Sequence, residues 1–332
     1  MPRLPLSLFW RARRVSPGAA LLLPVCRDLP SALLEFGWIK QHVESEAKHD
    51  GVTKRARVDP DWVGHRVLSL CRRRGRDRWM LTVRPEPEAY SMYLAERLLQ
   101  EAGGAEMASE KRTEMPALTV LDACTGTGCI ALLLYAQLRK RVGVHVVGVD
   151  IASEAIRLAQ DNAIRNGLDG TADEASLSFV QCNLFSNDWL ADPLVQRLAT
   201  TDHGLDVLVS NPPYISTDGF ARETARSVRI FEPKLAQVPL NGDEDVFYHR
   251  LLDLAARLNA RTVLYEVGSL AQAERVVAAA LSGDQGDGLI EVEIWADSPD
   301  IPAPEERSVT VHGRVIPIRG SGYGRSVFLR RR

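Results

Sequence analysis

The chain has 332 residues, 45% of them apolar, and sets 41 Lys and Arg against 43 Asp and Glu for a formal net charge of −2. That size and composition describe a globular protein with one large and one smaller domain, and the charge balance argues against a protein that coats nucleic acid, which needs a basic domain. No apolar run approaches the ~20 residues of a membrane span, and the five cysteines, Cys26, Cys71, Cys124, Cys129 and Cys182, are odd in number and lack zinc spacing. They read as reduced thiols of a non-secreted protein that holds no metal.

Arg3, Arg11, Arg13, Arg14 and Arg27 precede the first acidic residue, Asp28, which is the charge pattern of a mitochondrial presequence over residues 1–27. Import would place the protein in the mitochondrial matrix; without it the protein is cytoplasmic. The stretch Ala19 to Leu23 resembles a short secretory h-region, but Pro17 and Pro24 bracket it tightly. From Leu29 to His42 the residues Leu33, Leu34, Phe36, Trp38 and Ile39 predict a helix, and a second helical piece runs from Asp61 to Leu70. Glu44 to Val58 is charged, and Arg72, Arg73, Arg74, Arg76 and Arg78 beside Trp79 read as a solvated basic run. Pro85 and Pro87 predict extended chain over Val83 to Glu88, then a helix over Ala89 to Glu101, and a linker over 103–117.

Leu118 to Asp122 reads as a buried strand, followed by the loop Ala123 to Cys129 and a helix from Ile130 to Leu138. Strand, glycine loop and helix form a nucleotide-type crossover in which Gly126 and Gly128 let backbone approach a ligand and the helix N-terminus offers free amides. Val144 to Asp150 is a second buried strand whose terminal carboxylate can accept both ribose hydroxyls. The loop reads Thr-Gly-Thr-Gly, without the third glycine of a dinucleotide fingerprint, and this favours S-adenosylmethionine over a dinucleotide. Ser153 is expected to cap a helix that stops at Asn166 and Gly167, and an acidic loop from Asp169 to Glu174 leads to strand Leu177 to Gln181. Beyond it, Asn183 could accept the adenine amine with Leu184 against the ring, or cap the turn.

A helical segment up to Gly204 leads to the strand Leu205 to Ser210, which ends abruptly in Asn211-Pro212-Pro213-Tyr214 because proline supplies no ladder donor. The Asn211 Oδ1 and the Pro212 carbonyl can each accept one hydrogen of an –NH2 group while the Tyr214 ring stacks on its plane. That suits methylation of a planar nitrogen, with positioning as the main source of rate. Ile215 to Glu232 reads as a loop or lid. Asp245 to Leu258 is an amphipathic helix, Arg261 to Val267 a fifth strand, Leu270 to Leu281 a helix, and Leu289 to Trp295 a strand with one wetter, acidic face. Pro299 to Gly324 is loop-rich, and Ser326 to Leu329 closes the sheet.

These residues resemble the release-factor glutamine methyltransferases of the HemK/PrmC family, especially its fungal members, from about Arg84 to Phe328. The likeness is carried by Arg84 to Glu88, Asp122 to Cys129, Asp150, Asn183-Leu184-Phe185, Asn211 to Tyr214, Phe231-Glu232-Pro233, Gly242-Asp243 and Glu266-Val267-Gly268. The resemblance implies an α/β fold, a Rossmann-like class I methyltransferase with a seven-stranded, mostly parallel sheet over 118–332. It implies a helical substrate-docking region over 28–102 and a protein acting as a monomer on a peptide-chain release factor, at the glutamine of a Gly-Gly-Gln tripeptide. Its donor contacts would come from Asp122, Cys124, Thr125, Gly126, Thr127, Gly128, Asp150, Ile151, Asn183, Leu184 and Asn211, and its chemistry from Asn211, Pro212, Pro213 and Tyr214. Pro87 stands where the family has threonine, and the family's Pro-Leu-Gln-Tyr-type stretch has no counterpart between Gly64 and Thr82. Two other readings of the same motif are an amino-methyltransferase for adenine or guanine in RNA or DNA, and a protein that binds donor or release factor without catalysis. The first would need a basic track and a base-flipping surface.

Overall fold

Five short runs rich in Val, Leu and Ala alternate with helices, the pattern of a sheet buried on both faces. The computed structural model describes residues 5–26, 28–30, 32–34, 36–37, 39–40, 85–108, 117–169, 175–199, 204–222, 224, 229, 233–239, 241–282 and 288–331. The expected helix Asp61 to Leu70, the Arg72–Arg78 cluster with Trp79, Cys71, Val83-Arg84 and Phe231-Glu232 lie outside the described residues. The chain divides into two units, Met1–Leu81 with Thr217–Lys234, and Thr82–Ser216 with Leu235–Arg332.

In the smaller unit, helices α1 (Leu6–Val15) and α2 (Pro17–Cys26) and the helical residues of 29–40 enclose a core of Ala12, Ala19, Leu22, Leu23, Cys26 and Ala32. Leu33, Phe36 and Ile39 pack against it, whereas Leu34 is exposed. Arg11, Arg13 and Arg14 all face solvent, so α1 presents a basic surface.

In the larger unit β1 (Leu118–Ala123), β2 (Val144–Asp150), β3 (Ala175–Gln181), β4 (Val207–Ser210) and β5 (Thr262–Glu266) run parallel in the order β3-β2-β1-β4-β5. The chain steps outward from β1 to β3 and then returns to the other side of β1, so a topological switch point falls between β1 and β4, where open α/β sheets bind ligands. β9 (Ser321–Arg331) lies antiparallel between β5 and β6 (Leu289–Ser298). Side chains alternate faces along each strand: Leu121, Val147, Leu208 and Val263 enter one core, while Val120, Val146, Val207 and Leu264 enter the other. α3 (Pro85–Ala108) and α4 (Cys129–Leu138) contribute to the second core, and α8 (Val246–Arg257) and α9 (Leu270–Leu281) to the first. The remaining helices are α5 (Ser153–Arg165), α6 (Pro193–Ala199) and α7 (Thr217–Arg222), the last belonging to the smaller unit.

Several expectations are corrected. Residues 85–88 are helical rather than extended, because prolines are tolerated in a helix's first turn, where their missing N–H groups would have no intrahelical acceptor. α3 also runs to Ala108, into the expected linker, and groups with the sheet rather than with the N-terminal region. Ser153 is the first helical residue and not the cap; the Ala152 N–H donates instead to Asp150 Oδ1 at 2.9 Å. The expected lid over 215–232 contains α7. The loop-rich stretch 299–324 holds β7 (Arg307–Val311) and β8 (Arg314–Arg319), so the sheet has nine strands among the described residues, not seven. The turn between them is His312-Gly313, with φ of 49° and 77°, a two-residue turn whose twist matches the strands. On β6 the expected wetter face is partly closed: Glu293 is buried, held by Arg97, Arg319 and the Trp295 indole N–H, while Ile290 faces solvent beside a register shift.

Candidate active site

The carboxyl ends of the parallel strands are aligned by the ladder. Ala123 pairs with Val149 on one side and with Ser210 on the other, and Ser210 pairs with Tyr265. The Ser210 hydroxyl donates to the Ala123 carbonyl at 2.7 Å and ties the last residue of β4 to the loop that leaves β1. The ends of β1, β2, β4 and β5, which lead into the loop after Ala123, Asp150, Asn211 and Glu266, therefore lie along one edge.

In that loop Asp122 is fully buried, and its Oδ2 accepts from the Thr125 hydroxyl at 2.6 Å and from the Ala131 N–H at 3.1 Å. Its Oδ1 has no partner. Burial, outweighing those two donors, pushes the Asp122 carboxyl up to about 7. A buried carboxylate oxygen without a donor is costly to leave so, and an ammonium group is the ligand chemistry that would satisfy it. Asp150 reaches back across the same loop: its Oδ2 accepts from the Gly126 N–H at 2.9 Å. Burial raises its pKa, with the amides of Ala152 and Gly126 opposing the rise. Cys124 adopts φ of 60°, unusual for a residue with a side chain, and burial together with Asp150 and Asp122 raises its thiol well above the ordinary range. A thiol held protonated in this way is a weak nucleophile.

Gly128 behaves differently from the expectation that it yields space to a ligand. With φ of 78°, a Cβ there would meet the Ala159 Cβ at 2.9 Å and the Phe179 ring at 3.1 Å, so the glycine admits α5 and β3 instead. Asn162 on α5 then donates to the Thr127 carbonyl at 3.0 Å and holds the loop's outer wall.

Beyond β2 and β3, Ile151 is 45% exposed and Phe185 49%, and Phe185 meets Phe247 edge-to-face with centroids 5.1 Å apart. The exposed Phe185 ring beside Phe247 is an apolar face of the kind that suits a planar heterocycle. Asn183 Oδ1 accepts from the Phe185 N–H at 3.0 Å, the turn-capping geometry, and Leu184 is buried in the core. Sequence reasoning missed the clamp on this turn. Arg250 of α8 donates to the carbonyls of Leu184 at 2.6 Å and Ser186 at 3.0 Å. One of two arginines on an amphipathic helix, Arg250 offers no periodic signal that it closes a loop 66 residues away.

At the end of β4, Asn211 is half-buried and its amide makes no hydrogen bond among the described residues, and no described donor reaches the Pro212 carbonyl. Pro212 and Pro213 are buried, and Tyr214 donates through its hydroxyl to Glu266 Oε1 at 2.9 Å. The site therefore offers two free acceptors, a ring and a loop with an unsatisfied carboxylate. Among the described residues no group of three His, Cys, Asp or Glu could hold a metal ion.

A family model described as a methyltransferase domain matches residues 114–211. The mitochondrial MRF1 N(5)-glutamine methyltransferase MTQ1 of Saccharomyces cerevisiae is 31% identical over 248 residues, covering 72% of this chain and 68% of that one. The probable MRF1 mitochondrial N(5)-glutamine methyltransferase mtq1 of Schizosaccharomyces pombe is 36% identical over 168 residues, 48% of this chain and 50% of that one. The release factor glutamine methyltransferase of Cereibacter sphaeroides is 32% identical over 185 residues, 55% of this chain and 56% of that one. The chain thus spans about two thirds of the first relative and about half of the other two. On this likeness the chain belongs to the release factor glutamine methyltransferase family.

Proposed function

We propose that this protein transfers a methyl group from S-adenosyl-L-methionine to the side-chain amide nitrogen (N5) of the glutamine in the Gly-Gly-Gln motif of a peptide-chain release factor. The observation that carries this reading is the pair of unclaimed acceptors, Asn211 Oδ1 and the Pro212 carbonyl, at the switch point beside a loop with an orphaned buried carboxylate. S-adenosylmethionine, when bound, supplies a methyl group on a positively charged sulfur. The chain's own work is to hold the acceptor. Asn211 and Pro212 would take both N–H groups of the amide, and these bonds strengthen as positive charge develops on nitrogen, so they stabilise the transition state more than the ground state. Pro213 stiffens the turn, and the Tyr214 ring would carry the amide plane.

On the donor side, Asp122 fits the ammonium of the methionine portion and Asp150 the ribose hydroxyls. Ile151, Leu184 and Asn183 are assigned to the adenine side, where Leu184 backs the turn from the core and the exposed Phe185 ring supports the assignment. Cys124, Thr125, Gly126, Thr127 and Gly128 form the loop around it. The described residues leave the nucleic-acid reading without a specific supporting feature.

The reaction is tested by supplying methyl-labelled donor with a purified mitochondrial release factor carrying either Gly-Gly-Gln or Gly-Gly-Ala. Label on the first form only is the expected result, and label on both or on neither rejects the assignment. We also propose action in the mitochondrial matrix, as a monomer, and assign the part of 28–102 that precedes α3 to substrate docking, with residues 1–27 as the import signal. Those 27 residues fused to a fluorescent reporter should carry it into mitochondria, and a cytosolic reporter would reject the signal.

A further inference from the structure

Glu266 ends β5 one residue beyond the Ser210–Tyr265 pair, which sets it beside Asn211 at the strand edge. It is 3% exposed, and each carboxylate oxygen takes a different phenol. Oε2 accepts from the Tyr90 hydroxyl of α3 at 2.7 Å, and Oε1 accepts from the Tyr214 hydroxyl at 2.9 Å. Tyr248 of α8 donates to the Glu266 backbone carbonyl at 2.7 Å and fixes the residue from a third element. Tyr214 is held at two more points. Its carbonyl accepts from Gln272 Nε2 at 3.3 Å, and Gln272 Oε1 in turn accepts from the Gly268 N–H at 2.8 Å. The ring edge lies so close to Gly268 that a Cβ there would sit 3.0 Å from Tyr214 Cδ2.

The two prolines before Tyr214 restrict the backbone but leave its side-chain torsions free, and a half-exposed aromatic ring samples more than one rotamer unless something selects one. A buried carboxyl group is costly to desolvate, so core packing alone would favour an apolar residue at this place. Two phenol donors, one on each carboxyl oxygen, satisfy both acceptors, offset that cost and select one ring orientation. We propose that Glu266 is a positioning residue for the acceptor amide: the Tyr90–Glu266–Tyr214 hydrogen bonds set the plane of the ring on which the amide lies. This rests on reading Asn211 to Tyr214 as the acceptor site. Both oxygens of Glu266 accept, and glutamine cannot reproduce that, because its –NH2 would force one phenol to turn from donor to acceptor and so change that bond's geometry.

The test uses the full chain with Glu266→Gln, Tyr90→Phe, Tyr214→Phe and the Glu266→Gln/Tyr214→Phe double variant. Donor dissociation constant, kcat and KM for the release factor are measured, together with the resonances of ring-labelled tyrosine, Tyr214 being assigned by its loss in Tyr214→Phe. The expected result for Glu266→Gln is donor affinity within about 2-fold of wild type and kcat lowered about 10-fold with KM nearly unchanged, since misplacing a reacting group costs rate more than binding. The double variant should be no worse than its worse parent, because both remove one interaction. The Tyr214 ring resonances should shift in Glu266→Gln and, more weakly, in Tyr90→Phe. Additive losses in the double variant, or donor affinity falling in step with kcat, would overturn the proposal in favour of a structural role. An unmoved Tyr214 resonance in Glu266→Gln would overturn it independently of turnover. If the wild type transfers no methyl group to the release factor, the acceptor reading fails, and the ring resonances still decide whether Glu266 positions Tyr214.

Discussion

Asp122 is the residue at which burial, charge and ligand chemistry meet. An isolated aspartate titrates near 3.9, and burial pushes this one up to about 7. Between those values the folded protein binds a proton that the unfolded chain has released. The group's contribution to stability is therefore full below about pH 4 and is lost as the pH rises through about 7. Thermal midpoints of the ligand-free protein should fall between about pH 4 and 7, and Asp122→Asn should flatten that dependence; an unchanged slope in the variant would place the titration elsewhere. A ligand ammonium on Oδ1 demands the ionised carboxylate, so donor affinity should rise with pH through about 7 in the wild type and not in Asp122→Asn. At the other side of the site, Asn211→Ala removes an acceptor that strengthens only as charge develops. It should lower kcat by roughly 100-fold while leaving the donor dissociation constant nearly unchanged. Near-wild-type turnover in that variant would remove Asn211 from the chemistry.

Among the elements, α5 and α3 carry the largest single dependencies. Gly128 sits at φ of 78° with Ala159 and Phe179 closing over it, so Gly128→Ala combines backbone strain with overpacking. It should cost about 2 to 4 kcal/mol and weaken donor binding as the loop shifts, readable as a lowered urea midpoint and a raised donor dissociation constant. α3 is fastened to β6 and β9 through Arg97, which donates to Glu291 and Glu293 and lies over the Phe328 ring at 4.6 Å. Arg97→Ala leaves buried Glu293 with Arg319 and Trp295 only, and should destabilise by about 2 kcal/mol in urea unfolding. Because Tyr90 lies on the same helix, a loosened α3 should also lower kcat; a stability loss with full activity would separate the two roles of the helix.

At the scale of the whole molecule, two units with separate cores predict two unfolding steps. The donor-site residues all belong to the unit Thr82–Ser216 with Leu235–Arg332. S-adenosylmethionine at about 100 times its dissociation constant should therefore stabilise the step of that unit by about 2.7 kcal/mol and leave the other unmoved. A single transition that shifts as one would show that the units unfold together.

The chain itself determined the strand-loop-helix crossover, the acidic strand end at Asp150 and the abrupt strand stop at Asn211, because each is written in contiguous residues whose local physics has few outcomes. Hydrophobic period and proline chemistry act over a handful of positions, and there the sequence was legible. The misread pieces were those that depend on partners distant in sequence. The hairpin Arg307–Arg319 escaped notice because its two short strands are stable only against β6, and the acidic face of β6 is buried because Arg97 and Arg319 arrive from far along the chain. Likewise the Arg250 clamp and the Tyr90–Glu266–Tyr214 contacts join residues 52 to 176 positions apart. Such pairs carry no local signature: only the tertiary structure, by aligning strand ends at one edge, decides which carboxylate stays orphaned, which amide stays free and which ring is held.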